Sequence, residues 1–255
     1  MVPLVVLAAI ASLLFVLPLL GLLQRTPWGD LLDIVSDEVV LDALWLSLVT
    51  SVAAAILSVV FGVPLAWVLS RYRFPGRHVL RAVVILPMVL PPVVGGAALL
   101  FALGRRGLVG EPLYDATGFL LPFSTWGVVV ANTFVAMPFL VLTVEGAFSG
   151  VDRRFETAAA TLGASRYTVF RRVTIPMIAP ALRAGVVLAW ARALGEFGAT
   201  VTFAGNLQGR TQTMPLAVFV GLSSDRDAAI AISLLMVTVS LIVLVSLRDR
   251  WWPSK

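Results

Sequence analysis

The sequence predicts an all-α membrane protein with six transmembrane helices and both termini in the cytoplasm. Three observations carry that prediction. Of 255 residues, 59% are hydrophobic and 13% charged; an ordinary soluble domain has about 45–50% and about 25%, and a soluble fold of this length has too little interior for so much apolar surface. The apolar residues fall in six runs, each near the roughly 20 residues that cross a bilayer as a helix. The basic residues gather in alternate connections between those runs.

The runs are 2–23, 41–69, 79–103, 126–144, 178–203 and 228–247. The first lacks a basic n-region, exceeds the roughly 7–15 apolar residues of a signal peptide and has no A-x-A site behind it, so it reads as a span. Arg71, Arg73, Arg77 and Arg81 lie between the second and third runs. Arg153, Arg154, Arg166, Arg171, Arg172 and Arg183 lie between the fourth and fifth, and Arg248, Arg250 and Lys255 follow the sixth. Those thirteen face five on the other side: Arg25, Arg105, Arg106, Arg210 and Arg226. The positive-inside rule places the thirteen, and with them both termini, in the cytoplasm.

Composition also excludes chemistry. Lys255 is the only lysine, so these residues hold no Walker A loop, which needs a lysine after its glycines. With Cys 0 there is no thiolate nucleophile, thiolate zinc site or Fe–S cluster. His78 is the only histidine, and no HExxH or G-x-S-x-G pattern occurs, so a membrane-embedded enzyme has no constellation to work with. The net charge of +5 belongs to basic cytoplasmic loops, not to nucleic-acid binding.

The longest cytoplasmic connection, 146–177, has room for structure. Asp152 is placed to cap a helix through Glu156 and the alanines, and Gly163 to end it in a left-handed conformation. Ser165 is placed to cap a second short helix over 166–173, which Pro176 stops. Two readings are open for this segment: an amphipathic loop on lipid headgroups, or a small-faced helix that another surface approaches closely.

Two spans carry unusual residues. The third contains Pro87, Pro91, Pro92, Gly95 and Gly96, which kink or break a helix. Broken backbone at membrane depth is tolerated inside protein or beside a watery cavity, so this span is either a pore-lining or gating helix or one kinked for packing. The fifth contains Arg192 and Glu196, four apart on one face, and then Thr200. They form either a structural ion pair or part of a translocation path. Beyond it, residues 203–216 are rich in hydrogen-bonding groups, among them Asn206, Arg210 and Thr211. They read as a solvated extracytoplasmic loop or one that meets a partner.

The connection 146–177 resembles the EAA loop of ABC-importer permeases: Glu156, Ala158, Ala159, Gly163, Val173 and Pro176 match its acid, alanines, glycine, apolar residue and proline. Glu156 sits one residue ahead of the commonest acid position, which Thr157 occupies, and Ile175 replaces the usual leucine. Gly195-Glu-Phe-Gly-Ala-Thr200, Gly205-Asn206 and Gly209-x-Thr211-x-Thr213-x-Pro215 resemble the molybdate and sulfate branch. Phe203-Ala204 and Thr213-Met-Pro-Leu216 resemble molybdate permeases more than sulfate ones. The resemblance covers 41–247.

The resemblance implies a type I importer permease fold within one transmembrane domain, 1–255, in a prokaryotic cell membrane. It implies a homodimer in the lipid bilayer, with two separate ABC ATPase subunits that bind ATP and Mg; this chain needs no cofactor. It also implies an extracytoplasmic molybdate-binding protein. Glu156, Ala158, Ala159, Gly163 and Pro176 would belong to the ATPase-coupling loop. Pro91, Pro92, Gly95, Arg192, Glu196 and Thr200 would line the path or gate, and Asn206, Arg210 and Thr211 would face the binding protein. The competing readings are a sulfate or thiosulfate permease and an ion-coupled secondary transporter using Glu196; the latter leaves the long cytoplasmic loop without a role.

Overall fold

A computed structural model describes residues 2–246. The chain begins with α1 (Val2–Arg25), an apolar, largely exposed helix that leans on the last helix. A short α2 (Leu31–Val35) follows, and then α3 (Glu38–Arg71), whose start is capped by the Asp37 carboxylate accepting from the Val39 N–H. The third run is two helices, α4 (Arg77–Val89) and α5 (Pro92–Leu103). A short helix, α6 (Gly110–Thr117), precedes α7 (Thr125–Gly150), capped by Ser124. Then come α8 (Arg153–Thr161), α9 (Arg166–Val169) and α10 (Ile175–Leu194). The chain closes with α11 (Gly198–Phe203), α12 (Met214–Ser224) and α13 (Arg226–Ser246).

Helices α3, α7 and α10 make the core. Their buried faces are lined by Ala54, Ala66, Leu69, Leu140, Val144, Phe148, Ile178 and Ala193. Lipid removes the hydrophobic drive between helices, so close packing has to hold them together, and small residues permit it. Gly62 lies against Leu140 and Val141, and Gly185 against Leu140 and Thr143. The break between α4 and α5 lets α5 pack on α11, with Leu99, Val135, Ala199 and Phe203 between them and α7. Helix α12 packs on α13 and α3 through Met214, Ala217, Ile232 and Val40.

Among the described residues, five helices are long and apolar enough to cross a membrane: Pro3–Arg25, Glu38–Arg71, Thr125–Gly150, Arg166–Leu194 and Arg226–Val245. The third predicted span is not one of them. Leu90 is extended, at φ −66° and ψ 140°, because the ring of Pro91 disfavours helical backbone before it. The fifth span also differs from a continuous helix over 178–203: α10 stops at Leu194, and α11 restarts at Gly198.

A further correction concerns Pro176. It does not stop a second short helix. Helix runs unbroken from Arg166 to Leu194, so α9 is the first turn of the fifth span. A π-helical turn over Phe170–Thr174, in which the Ile175 N–H reaches back to the Phe170 carbonyl, widens the helix just before the proline. Since α7 also runs on to Gly150, the non-spanning connection shrinks from 146–177 to 151–165. Leu247 and residues 248–255, including Arg248, Arg250, Trp251, Trp252 and Lys255, lie outside the described residues.

Candidate functional site

Helix α8 stands at the bundle end where α3 and α7 finish and α4 and α9 begin. The Asp152 carboxylate accepts from the Arg154 N–H at 2.9 Å and caps its start. Its end is a Schellman motif: the Ala164 N–H bonds to the Ala159 carbonyl at 3.1 Å, and the Gly163 N–H to that of Ala160 at 3.0 Å. Gly163 supplies the left-handed residue, φ +84°, in open space. Ser165 then caps α9 by accepting from the Thr168 N–H at 3.2 Å. Ala158 is exposed and Ala159 half-buried. Leu162 is 88% exposed and Phe155 58%, so α8 turns Phe155, Ala158 and Leu162 outward between two capped ends. Pro176 lies further along, inside the helix that enters the core.

Glu156 points the other way. Its Oε1 accepts from Arg71 Nη2 and from the Thr174 hydroxyl, both at 2.7 Å. Glu145 of α7, buried, pairs in the same end of the bundle with Arg81 of α4. Neither partner was identified from the sequence. Both pairs join residues more than sixty positions apart, and only the abundance of arginine near these helix ends hinted at them.

The broken helices meet in the bundle interior. A Cβ on Gly198 would lie 2.7 Å from the Pro92 Cβ, and one on Gly96 would lie 2.7 Å from the Thr202 Cβ. The two interruptions therefore touch. Gly95 turns instead toward Phe134 of α7, and Pro91 and Pro92 are exposed at the break. At the α10–α11 junction Arg192 Nη2 meets Glu196 Oε2 at 2.6 Å, with side-chain exposures of 28% and 1%. The other Glu196 oxygen accepts from the Ala199 N–H at 2.7 Å, so the carboxylate also satisfies the start of α11. Thr200 faces inward and donates to Asn132 of α7 at 3.3 Å, while Asn132 donates to Thr50 of α3 at 3.5 Å. Asn132 is fully enclosed and was missed in the sequence; a lone amide in an apolar run was its only signal.

At the opposite end, Asn206 and Arg210 are exposed, whereas Thr211 is buried. The Thr211 hydroxyl accepts from the Leu207 N–H at 2.9 Å, and the Arg210 carbonyl accepts from the Thr125 hydroxyl at 3.0 Å. Thr211 thus braces the loop from within, which leaves Asn206, Gln208 and Arg210 as its outward polar groups. Residues 214–224, read as loop at their start, form α12 with Pro215 in its first turn, where its missing N–H costs nothing.

Residues 58–251 match the family model described as "Binding-protein-dependent transport system inner membrane component". The chain belongs to that family. A permease of this family from Mycobacterium tuberculosis, named molybdenum transport system permease protein ModB, is 47% identical over 249 residues, covering 96% of this chain and 93% of that protein. The Escherichia coli protein of the same name is 43% identical over 209 residues, covering 82% and 91%. The sulfate transport system permease protein CysT of Salmonella typhimurium is 39% identical over 252 residues, covering 93% and 88%. In shape the chain is similar to a bacterial ABC transporter that imports alginate, with TM-score 0.75 and 20% identity over 98% of this chain and 94% of that one. It is also similar to the MetNI methionine ABC transporter, with TM-score 0.60 and 16% identity over 80% and 90%. The all-helical fold is that of ABC-importer permeases, and the chain is a multi-pass inner-membrane protein.

Proposed function

We propose that this chain is the membrane-spanning subunit of an ATP-driven importer that passes molybdate, or the isosteric tungstate, into the cytoplasm. The observation that carries the reading is identity of 43–47% along most of the chain with permeases named for molybdenum transport; the sulfate permease at 39% is the runner-up. The 13 residues of α4 and the 12 of α5 together make the sixth crossing, because two half-helices at about 1.5 Å per residue suffice for a bilayer core of about 30 Å. Six crossings put both termini on one side, which the positive-inside rule makes the cytoplasm, and α8 faces that side.

There α8, with Ala158, Ala159, Leu162 and Gly163, docks on a separate ATPase subunit that supplies ATP and Mg. The exposed, doubly capped helix supports this reading, since a rigid element transmits closure as a rigid-body motion. Two copies of the chain enclose the path, with two ATPase subunits below. The path runs beside the break at Pro91, Pro92 and Gly95 and the junction at Arg192, Glu196 and Thr200. An extracytoplasmic oxyanion-binding protein meets the loop carrying Asn206 and Arg210. Pairing Arg192 with Glu196 leaves the junction nearly neutral, so an oxyanion is not trapped; transport requires release as well as entry. The chain performs no catalysis itself.

Uptake of labelled molybdate and labelled sulfate in a strain lacking the gene, with and without its restoration, tests this. Rescue of molybdate uptake alone is the expected result. Rescue of sulfate uptake moves the substrate to the runner-up, and rescue of neither overturns the oxyanion reading.

A further inference from the structure

We infer that Glu156 is a positioning residue that works inward: together with Arg71 and Thr174 it fastens α8 to α3 and α10, so that the docking helix and two core helices move as one body. This rests on the reading of α8 as the ATPase-docking element and adds how its motion reaches the membrane.

One carboxylate oxygen joins three elements. Arg71 is the last residue of α3, Glu156 lies in the first turn of α8, and Thr174 ends the π turn that feeds α10. Both contacts to Glu156 Oε1 are 2.7 Å long. The side chains of Arg71 and Glu156 are only 10% and 18% exposed, so these charge-assisted bonds are little screened by water. The Thr174 bond is a departure from local habit. Thr133, Thr143, Thr157 and Thr161 all donate to the carbonyl four residues back, whereas Thr174 gives its hydroxyl to Glu156 instead.

The fastening continues into the core. The Arg71 guanidinium lies 5.1 Å from the Trp67 ring centre, a cation–π distance. Trp67 in turn meets Phe148 of α7 and Phe170 of the π turn edge-on, at 5.1 and 4.9 Å between ring centres. Without Glu156, α8 would hang between Val151–Asp152 and the open turn at Gly163. The position of the acid explains its direction. Moving it one residue along a helix turns it by about 100°; Thr157, on the neighbouring face, is exposed, while Glu156 is turned onto Arg71.

The test uses the whole transporter in liposomes, with its ATPase and binding protein, and reads three quantities: ATPase retained on purification, ATP hydrolysed and labelled molybdate taken up. Glu156→Ala and Arg71→Ala are expected to retain the ATPase and keep hydrolysing ATP, yet lower uptake per ATP by roughly fivefold or more, the small end of a typical coupling energy. The double variant is expected to be no worse than either single one, because all three break one fastening. Thr174→Val, which removes only the hydroxyl, is expected to lower the same ratio and serves where Arg71→Ala does not assemble. An unchanged ratio in Glu156→Ala or Thr174→Val, losses that multiply in the double variant, or release of the ATPase by Glu156→Ala would each overturn the inference. Leu162→Asp, on the exposed face of α8, separates the two readings. Release of the ATPase by Leu162→Asp combined with intact coupling in Glu156→Ala overturns the fastening alone. Retention of the ATPase in Leu162→Asp overturns the docking reading, and the fastening with it.

Discussion

Removing Arg192 should destabilise the protein more than removing both members of its pair. The Glu196 carboxylate is 1% exposed and has two partners, Arg192 at 2.6 Å and the Ala199 N–H at 2.7 Å. Arg192→Ala leaves a buried carboxylate with one neutral donor, and losing one partner of a buried pair costs about 3–5 kcal/mol. Glu196→Gln keeps one acceptor, enough for the Ala199 N–H, and removes the buried charge, while Arg192 is 28% exposed and can turn to water, so its loss is smaller, about 1–2 kcal/mol on the scale of a weakened hydrogen bond to a charge. The double variant, Arg192→Ala with Glu196→Ala, buries no charge and should fall below Arg192→Ala alone. At about 2–4 °C per kcal/mol for a chain of this size, Arg192→Ala should lower the thermal midpoint by roughly 10 °C. The assay is the fraction of purified, detergent-solubilised protein that stays monodisperse after heating at one fixed rate, since membrane proteins often unfold irreversibly. A wild-type midpoint for Arg192→Ala, or a double variant worse than both singles, would refute the reasoning.

Three other outcomes follow from the geometry. Gly163→Val should abolish uptake while the protein still reaches the membrane, because its φ of +84° strains a β-branched residue by about 1–2 kcal/mol; Gly163→Asn, which tolerates that conformation, should keep uptake, and equal uptake by both variants would count against the turn. Gly96→Ala sets a Cβ 2.7 Å from the Thr202 Cβ and 2.8 Å from the Ala199 carbonyl, so it should destabilise by about 1–3 kcal/mol as overpacking does, while Gly146→Ala, in open space, should melt with the wild type. Asn132→Leu breaks the links to Thr50 and Thr200 and should cost about 0.6–2 kcal/mol in the same heating assay; no loss would show that those long hydrogen bonds carry little.

The sequence by itself determined the membrane class, five long apolar helices, the caps of α8 at Asp152 and Gly163, the cap of α9 at Ser165, and the Arg192–Glu196 pair. All of these are local. A cap, a Schellman turn or an i,i+4 pair closes within five residues, so residue type and spacing suffice. The tertiary structure decided the rest. It showed that Pro176 sits within a continuing helix, because a π turn supplies the room. It turned Glu156 onto Arg71, 85 positions away, enclosed Asn132 between α3 and α11, and buried Thr211 inside its own loop. It also brought the interruption at Pro92 against the one at Gly198. The core helices α3, α7 and α10 are apolar on nearly every face, so their sequences leave open which face turns inward. Rotation and register are chosen only when small residues such as Gly62, Gly96, Gly185 and Gly198 find surfaces they can approach, a choice made between helices and not within one.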